Sequence, residues 1–189
     1  MNSQFKRMQK LAGIVISENS TSTYEYGCMM LYFDFPEMEN IHSKISSEDV
    51  YEEEGDRTFG LEDEPHCTLL FGLHDNELDQ DEVINATKQF KYPKVTAHNA
   101  SLFENEKYDV LKFDIKGDSL HEANAALREF PYSNDYPDYH PHMTVGYLKP
   151  GTGKKYAEML KDQKFTLTPQ YAIYSHPDGS KDKIEIENE

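Results

Sequence analysis

Three things are scarce in this chain, and each scarcity narrows what it can be. Basic residues are outnumbered, 19 Lys and Arg against 35 Asp and Glu, for a net charge of −16. A groove that tracks a long nucleic acid needs a basic stripe to release counterions, so a DNA or RNA polymer is not the expected partner. A small anion with few phosphates can still be held by a local set of donors. Cysteine occurs only as Cys28 and Cys67, far apart in sequence, which argues against a disulfide framework and for a reducing cytosol. No apolar run approaches the ~18 residues of a membrane span. Lys6, Arg7 and Lys10 ahead of Leu11–Ile16 imitate a signal peptide, but this apolar stretch is short of an h-region of about 7 residues and no small-residue cleavage site follows. Metal-binding spacings are missing as well, since the chain has no His-Glu-x-x-His, no Cys-x-x-Cys and no clustered carboxylate-histidine set. The apolar fraction is a low 37%, yet 13 Tyr and 10 Phe in 189 residues supply area for a sizeable core.

What the chain does have is one tetrapeptide pattern used twice. Pro65-His66-Cys67-Thr68 and Pro141-His142-Met143-Thr144 each lead into a short apolar run that contains a glycine. At this composition a Pro-His-x-Thr is expected by chance roughly 0.02 times, so two copies indicate an internal duplication. Both runs read as buried strands opened by proline. In a strand, residues i and i+2 share a face, so each His and Thr point together into a cleft while Cys67 and Met143 point into a core. One neutral imidazole can accept a proton and a second, charged one can donate it, which suits phosphodiester cleavage near neutral pH. The threonine hydroxyls can donate to phosphoryl oxygens as charge builds there.

In these motifs the chain resembles the 2H phosphoesterases, a family defined by two His-x-Thr/Ser motifs set in strands of two pseudo-symmetric lobes. The stretch Gly60–Leu73 around the first motif looks most like the phage branch, which includes the anti-CBASS nucleases that destroy cyclic oligonucleotide messengers of bacterial immunity. The resemblance spans roughly residues 26 to 187 and is strongest at the motifs. It implies an α+β, LigT-like fold, two lobes of mostly antiparallel sheet with flanking helices around a central cleft. It also implies catalytic roles for His66, Thr68, His142 and Thr144 with neither metal nor cofactor. On a ribose 3′-5′ linkage, one histidine would deprotonate the neighbouring 2′-hydroxyl and the other would protonate the departing 5′-oxygen. Which does which stays open. The expected ligand is a small cyclic di- or trinucleotide in a bacterial cytoplasm, with no long nucleic acid and no membrane. Two alternatives keep the same pocket: a phosphodiesterase for 2′,5′-oligoadenylates or RNA 2′,3′-cyclic phosphates, and a module that binds a nucleotide without cutting it.

Along the chain, residues 1–25 read as a loosely ordered segment and 26–189 as a single bilobal domain. Cys28 to Phe35 is the first strand, with Met29, Leu31, Phe33 and Phe35 toward the core and Tyr32 toward the cleft. Ile41 to Tyr51 reads as a loop with a helical turn at Ser47–Asp49. Asn76–Phe90 is a helix, followed by a hairpin of 94–103 and 107–116. A second helix is capped by Asp118 or Ser119 and ends at Pro131. A tyrosine-rich loop of 132–139 leads to the second motif, and a helix near 154–161 and a hairpin of 164–176 and 183–187 complete the chain.

Further site candidates follow from position. Tyr32 and Tyr139 are picked as stacking platforms for bases, although tyrosines at strand spacing are as often scaffold. His140, two residues before His142, can share the cleft, and Glu64 holds the matching place before His66. Lys112, on the side opposite the inward Leu111 and Phe113, is a candidate for a phosphate. His42, His74, His98, His121 and His176 lack a repeated context and read as surface or packing residues.

Overall fold

The first strand, β1 (Gly27–Asp34), divides its side chains as the alternation requires. Met29, Leu31 and Phe33 enter the main core, while Cys28, Met30 and Tyr32 form a smaller cluster on the other face with Phe71, Tyr171 and Ile173. These features come from a computed structural model that describes residues 26–56 and 58–188. The segment expected to be loosely ordered, 1–25, lies outside the described residues.

After β1 come α1 (Glu37–His42), a 3-10 turn (Ser47–Asp49), β2 (His66–Leu73), α2 (Gln80–Lys88), β3 (Val95–Glu104) and β4 (Asp109–Lys116). The chain continues through α3 (Asp118–Leu127), β5 (His142–Leu148), α4 (Lys154–Leu160), β6 (Phe165–Ser175) and β7 (Lys181–Glu185). One open sheet runs in the order β2-β1-β6-β3-β4-β5, with β7 added to β6 and every named strand pair antiparallel. The long strand β6 is the spine. Its Thr168–Ser175 part pairs with β1, and its Phe165–Leu167 part pairs with β3. The architecture is therefore α+β, with β2-β1-β6 answered by β5-β4-β3 as two related halves.

The duplication extends beyond the motifs to the strands beside them. His66 stands opposite Tyr32 and Thr68 opposite Met30. In the other half His142 stands opposite Asp114 and Thr144 opposite Lys112. Both ladders carry a register irregularity directly past the threonine, at Met29/Met30 and at Leu111/Lys112. Each bulge turns the following aromatic, Phe71 or Tyr147, back toward the face that carries its histidine. Phe71 then joins the Tyr32 cluster, and Tyr147 joins a second one with Phe59, Tyr108 and Val110.

The edges of β2 and β5 are covered reciprocally, each by the lead-in to the other motif. Gly60–Glu62 lies along β5, with Tyr147 N–H donating to Gly60 O at 2.8 Å and Glu62 N–H to Val145 O at 3.0 Å. In return, Ser133 N–H donates to Gly72 O at 2.9 Å and His74 N–H to Pro131 O at 2.9 Å. These contacts explain the glycine in each apolar run. A Cβ on Gly72, whose φ is +100°, would sit 2.0 Å from Ser133 O, and one on Gly146 would sit 2.8 Å from Leu61 Cδ2.

Three local expectations need correction. Residues 37–42, which follow the first strand and run into the expected loop, form α1, because Met38 and Ile41 at helical spacing reach the core. Helix α2 begins at Gln80 and not at Asn76, since the Asp79 carboxylate accepts from the N–H groups of Asp81 and Glu82 and so caps it there. The cap of α3 is Gly117, not Asp118 or Ser119; Asp118 is already helical and Ser119 is buried.

Candidate active site

β2 and β5 place the two motifs with the expected parity. Cys67 is 1% exposed and Met143 0%, while His66, Thr68, His142 and Thr144 are half-buried on the opposite face. The two threonines are thus presented beside their own histidines by strand geometry alone.

Each imidazole is held in the same way. His66 Nδ1 lies 2.8 Å from the carbonyl of Glu64, and His142 Nδ1 lies 3.0 Å from the carbonyl of His140. A carbonyl only accepts, so both rings carry hydrogen on Nδ1, and a neutral ring has a bare Nε2. The intervening prolines are anchored symmetrically, for Phe33 N–H donates to Pro65 O and Ile115 N–H donates to Pro141 O, both at 2.9 Å. The i−2 residues therefore orient the rings through their backbones. The ring of His140 itself is exposed, as is the Glu64 side chain.

Tyr32 is beside the site but not open to it. Its ring is stacked against His66 (centroids 5.2 Å apart, 26°) and against Tyr171 (5.1 Å, 14°). With both faces covered, it braces an imidazole and does not offer a platform to a base. Burial raises its phenol pKa, and the carboxylates of Glu64 and Glu62 raise it further. Tyr139 is likewise structural. Its hydroxyl donates to Thr68 O at 2.9 Å and lies 3.6 Å from Cys67 Sγ, tying the lead-in of the second motif to the strand of the first. The loop that holds it is pinned by Arg128, which donates to the carbonyls of Tyr136 and Pro137 at 3.1 Å each.

Lys112 lies beside the second motif. Its position opposite Thr144 puts it on the histidine face, 8% exposed, with its ammonium paired to Asp114 and 4.9 Å from the centre of the Phe103 ring. Asp114 is held ionised, its pKa lowered below the usual value: burial opposes this, but hydrogen bonds from Lys112 and Asn99 prevail. Asn99 reaches it from a bulge in β3 with φ +51°. Asp114 and Asn99 were not singled out in the sequence, and His98, read there as a surface or packing residue, stands opposite Asp114 in the ladder. The signal available was the parity of β4, which places Asp114 and Lys112 on one face.

His142 also meets the edge of Phe103, with ring centroids 5.2 Å apart. Its pKa is lowered, first by burial, then by Lys112 and by His66, against the opposing pull of the His140 carbonyl and Asp114. Cys67 is pushed up to about 11 by burial, which makes it a core thiol and no nucleophile at neutral pH. Among the described residues, no three His, Cys, Asp or Glu side chains are grouped so as to hold a metal ion, and no helix is long and apolar enough to cross a membrane.

No protein-family model matches the chain, and no curated protein matches it in sequence. Solved structures do match in fold. Usb1 of Kluyveromyces marxianus with uridine monophosphate aligns at 12% identity and a TM-score of 0.52, over 87% of this chain and 99% of that one. E. coli LigT complexed with 3′-AMP aligns at 16% identity and a TM-score of 0.45, over 86% of this chain and 97% of the other. Together with the antiparallel sheet and its flanking helices, the likeness to Usb1 shows that the chain shares the α+β fold of that protein.

Proposed function

We propose that this protein is a phosphodiesterase that opens the 3′-5′ linkages of small cyclic oligonucleotides, with His66 and His142 as its acid–base pair. The observation that carries this reading is the matched tethering of the two imidazoles, Nδ1 to the i−2 carbonyl in both halves. It leaves each Nε2 free of that tether, with a threonine on the same face of the same strand, and these groups are what in-line displacement at phosphorus needs: a base, an acid and donors for the phosphoryl oxygens. The proposed route uses the ribose 2′-hydroxyl as nucleophile and requires no metal.

The small cyclic substrate is supported by charge. At −16 the protein repels a polyanion, and Lys112 supplies one local cation at the histidine face. The fold relative with uridine monophosphate bound fits a site of mononucleotide dimensions. Immune messengers of the 3′,3′-cyclic dinucleotide type, degraded on behalf of a phage in the bacterial cytoplasm, are the proposed substrates, in keeping with the sequence around the first motif. The test is mass-resolved chromatography of 3′,3′-cyclic GMP-AMP incubated with the protein in excess EDTA, beside a His66→Ala/His142→Ala control. Linear product from the native protein alone supports the proposal. Intact nucleotide with folded protein overturns the cyclic substrate and moves the search to 2′,5′-oligoadenylates and RNA ends.

A further inference from the structure

β7 stands outside the plan by which β2-β1-β6 is answered by β5-β4-β3, since it is added to β6 alone. It is five residues long and buries one side chain, Ile184. It also carries Lys183. This residue stands opposite Ile173, which stands opposite Met30, which stands opposite Thr68. Side chains directly opposite one another share a face of a sheet, so Lys183 is on the face of the first motif.

On that face the rings of His66, Tyr32 and Tyr171 form a row, one from each of β2, β1 and β6, with centroids 5.2 and 5.1 Å apart and planes 26° and 14° from parallel. Lys183 Nζ ends the row, 4.2 Å from the centre of the Tyr171 ring. β1 and β7 flank this part of β6, so Tyr32 and Lys183 approach Tyr171 from opposite sides. Glu185 Oε1 lies 3.9 Å from the same ammonium, but both side chains are mostly exposed and such a pair holds little. The second half ends in the same way by a shorter route: Phe103 meets His142, and the Lys112 ammonium sits 4.9 Å from the centre of the Phe103 ring. There the lysine comes from β4, opposite Thr144. In the first half that place is taken by Met30, and the cation comes from β7 instead.

Resting on the phosphodiesterase reading above, we infer that Tyr171 and Lys183 are positioning residues for His66, acting through Tyr32. The Nδ1 bond to Glu64 O fixes one atom of the imidazole and leaves the ring free to swing about it. The face of Tyr32 sets the plane, and a ring can set a plane only if it is itself held. Tyr171 covers its second face, and the ammonium of Lys183, drawn to the π cloud, holds Tyr171 in place. The row works on the imidazole and not on the substrate. Its loss therefore costs rate in the chemical step, where Nε2 must meet the reacting oxygen at a set distance and angle, and leaves binding unchanged.

Kinetics and a spectrum test this separately. On 3′,3′-cyclic GMP-AMP, or on ApA if the cyclic nucleotide stays intact, Lys183→Met is expected to lower kcat about 5-fold with KM unchanged, and Lys183→Arg to keep the wild-type rate. Tyr171→Leu is expected to lose about 30-fold in kcat and Tyr171→Phe less than about 3-fold. Lys183→Met added to Tyr171→Leu costs nothing more, because the lysine acts through the ring. The spectrum needs no substrate: long-range proton–nitrogen correlation of the histidine rings at about pH 8, where free imidazoles are neutral, with His66 assigned by its absence from His66→Gln. The wild type shows the Nδ1–H tautomer of His66 alone, and Lys183→Met and Tyr171→Leu show a mixture of both tautomers. Thermal unfolding confirms that each variant is folded, and the exposed Lys183 carries the test if Tyr171→Leu is not. An unchanged His66 spectrum in Lys183→Met, a loss carried by KM, or an equal loss from Lys183→Met with and without the Tyr171 ring overturns the inference and leaves the phosphodiesterase reading standing. A wild type that cleaves neither substrate overturns that reading, and the spectrum then decides the inference by itself.

Discussion

The hydroxyl of Tyr139 donates to the carbonyl of Thr68 across 2.9 Å, so that a residue three positions before His142 is fastened to the strand of His66. This bond, together with the reciprocal covering of β2 and β5, fixes the two motifs relative to one another. The site thus gains its geometry from contacts between residues more than 70 positions apart, and the first prediction concerns them.

Tyr139→Phe leaves Thr68 O without that donor and removes a hydroxyl next to Cys67 Sγ. A loss of about 1–2 kcal/mol in stability is expected, with kcat reduced and KM nearly unchanged. Urea unfolding and steady-state kinetics read the two effects separately. A variant as stable and as active as wild type would show that this bond does not hold the motifs together.

Gly72→Ala is expected to be far worse than Gly146→Ala. The first adds a Cβ 2.0 Å from a backbone oxygen at a φ of +100°, the second one 2.8 Å from the end of a leucine side chain that can turn aside. Denaturant midpoints should place the Gly72 variant lower by at least about 2 kcal/mol relative to the Gly146 variant.

Lys112→Met reproduces the residue that the first half carries at the equivalent position. It is expected to lower kcat/KM by roughly 100-fold and to destabilise the protein, because the Asp114 carboxylate loses its ammonium. Adding Asp114→Asn should restore stability but not activity. Recovery of both would mean that Lys112 has no part in binding the phosphate.

His176 carries a prediction of opposite pH sign to that of His142. It donates from Nδ1 to Asp75 at 3.1 Å and from Nε2 to Asp182 at 2.9 Å. Burial works against its charge, but the hydrogen bonds to Asp182 and Asp75 outweigh burial and raise its pKa above 6.5. The clasp therefore stabilises fully below about pH 6.5, the unfolded value, and is lost as pH rises through the folded one. For His142 the folded pKa is lowered, so its burial costs nothing above about pH 6.5 and destabilises as pH falls below it. The stability difference between wild type and His176→Phe should shrink from pH 6 to pH 9, as measured by unfolding across that range.

The paired motif and its parity were legible in the sequence because they are local: a strand alternates whatever it packs against, and Pro-His-x-Thr carries its own spacing. The same holds for Met29, Leu31 and Phe33 in the core. The role of Tyr32 was not legible, since its choice between platform and brace depends on Tyr171 from a strand nearly 140 residues later. Asp114 escaped for the same reason: its meaning comes from standing opposite His142. The covering of β2 by Pro131–Ser133 and of β5 by Gly60–Glu62 is likewise long-range, and only the two glycines hinted at it.

The central claim is that His66 and His142 act as one pair on one bond. Its most direct test is to measure single-turnover cleavage of the best substrate by His66→Ala, His142→Ala and the double variant. The account predicts that each single variant loses about 100- to 10,000-fold, and that the double variant is little worse than the more damaged single one, since a pair working in concert fails when either member is removed. A single variant that keeps near wild-type rates, or losses that multiply in the double variant, would contradict it.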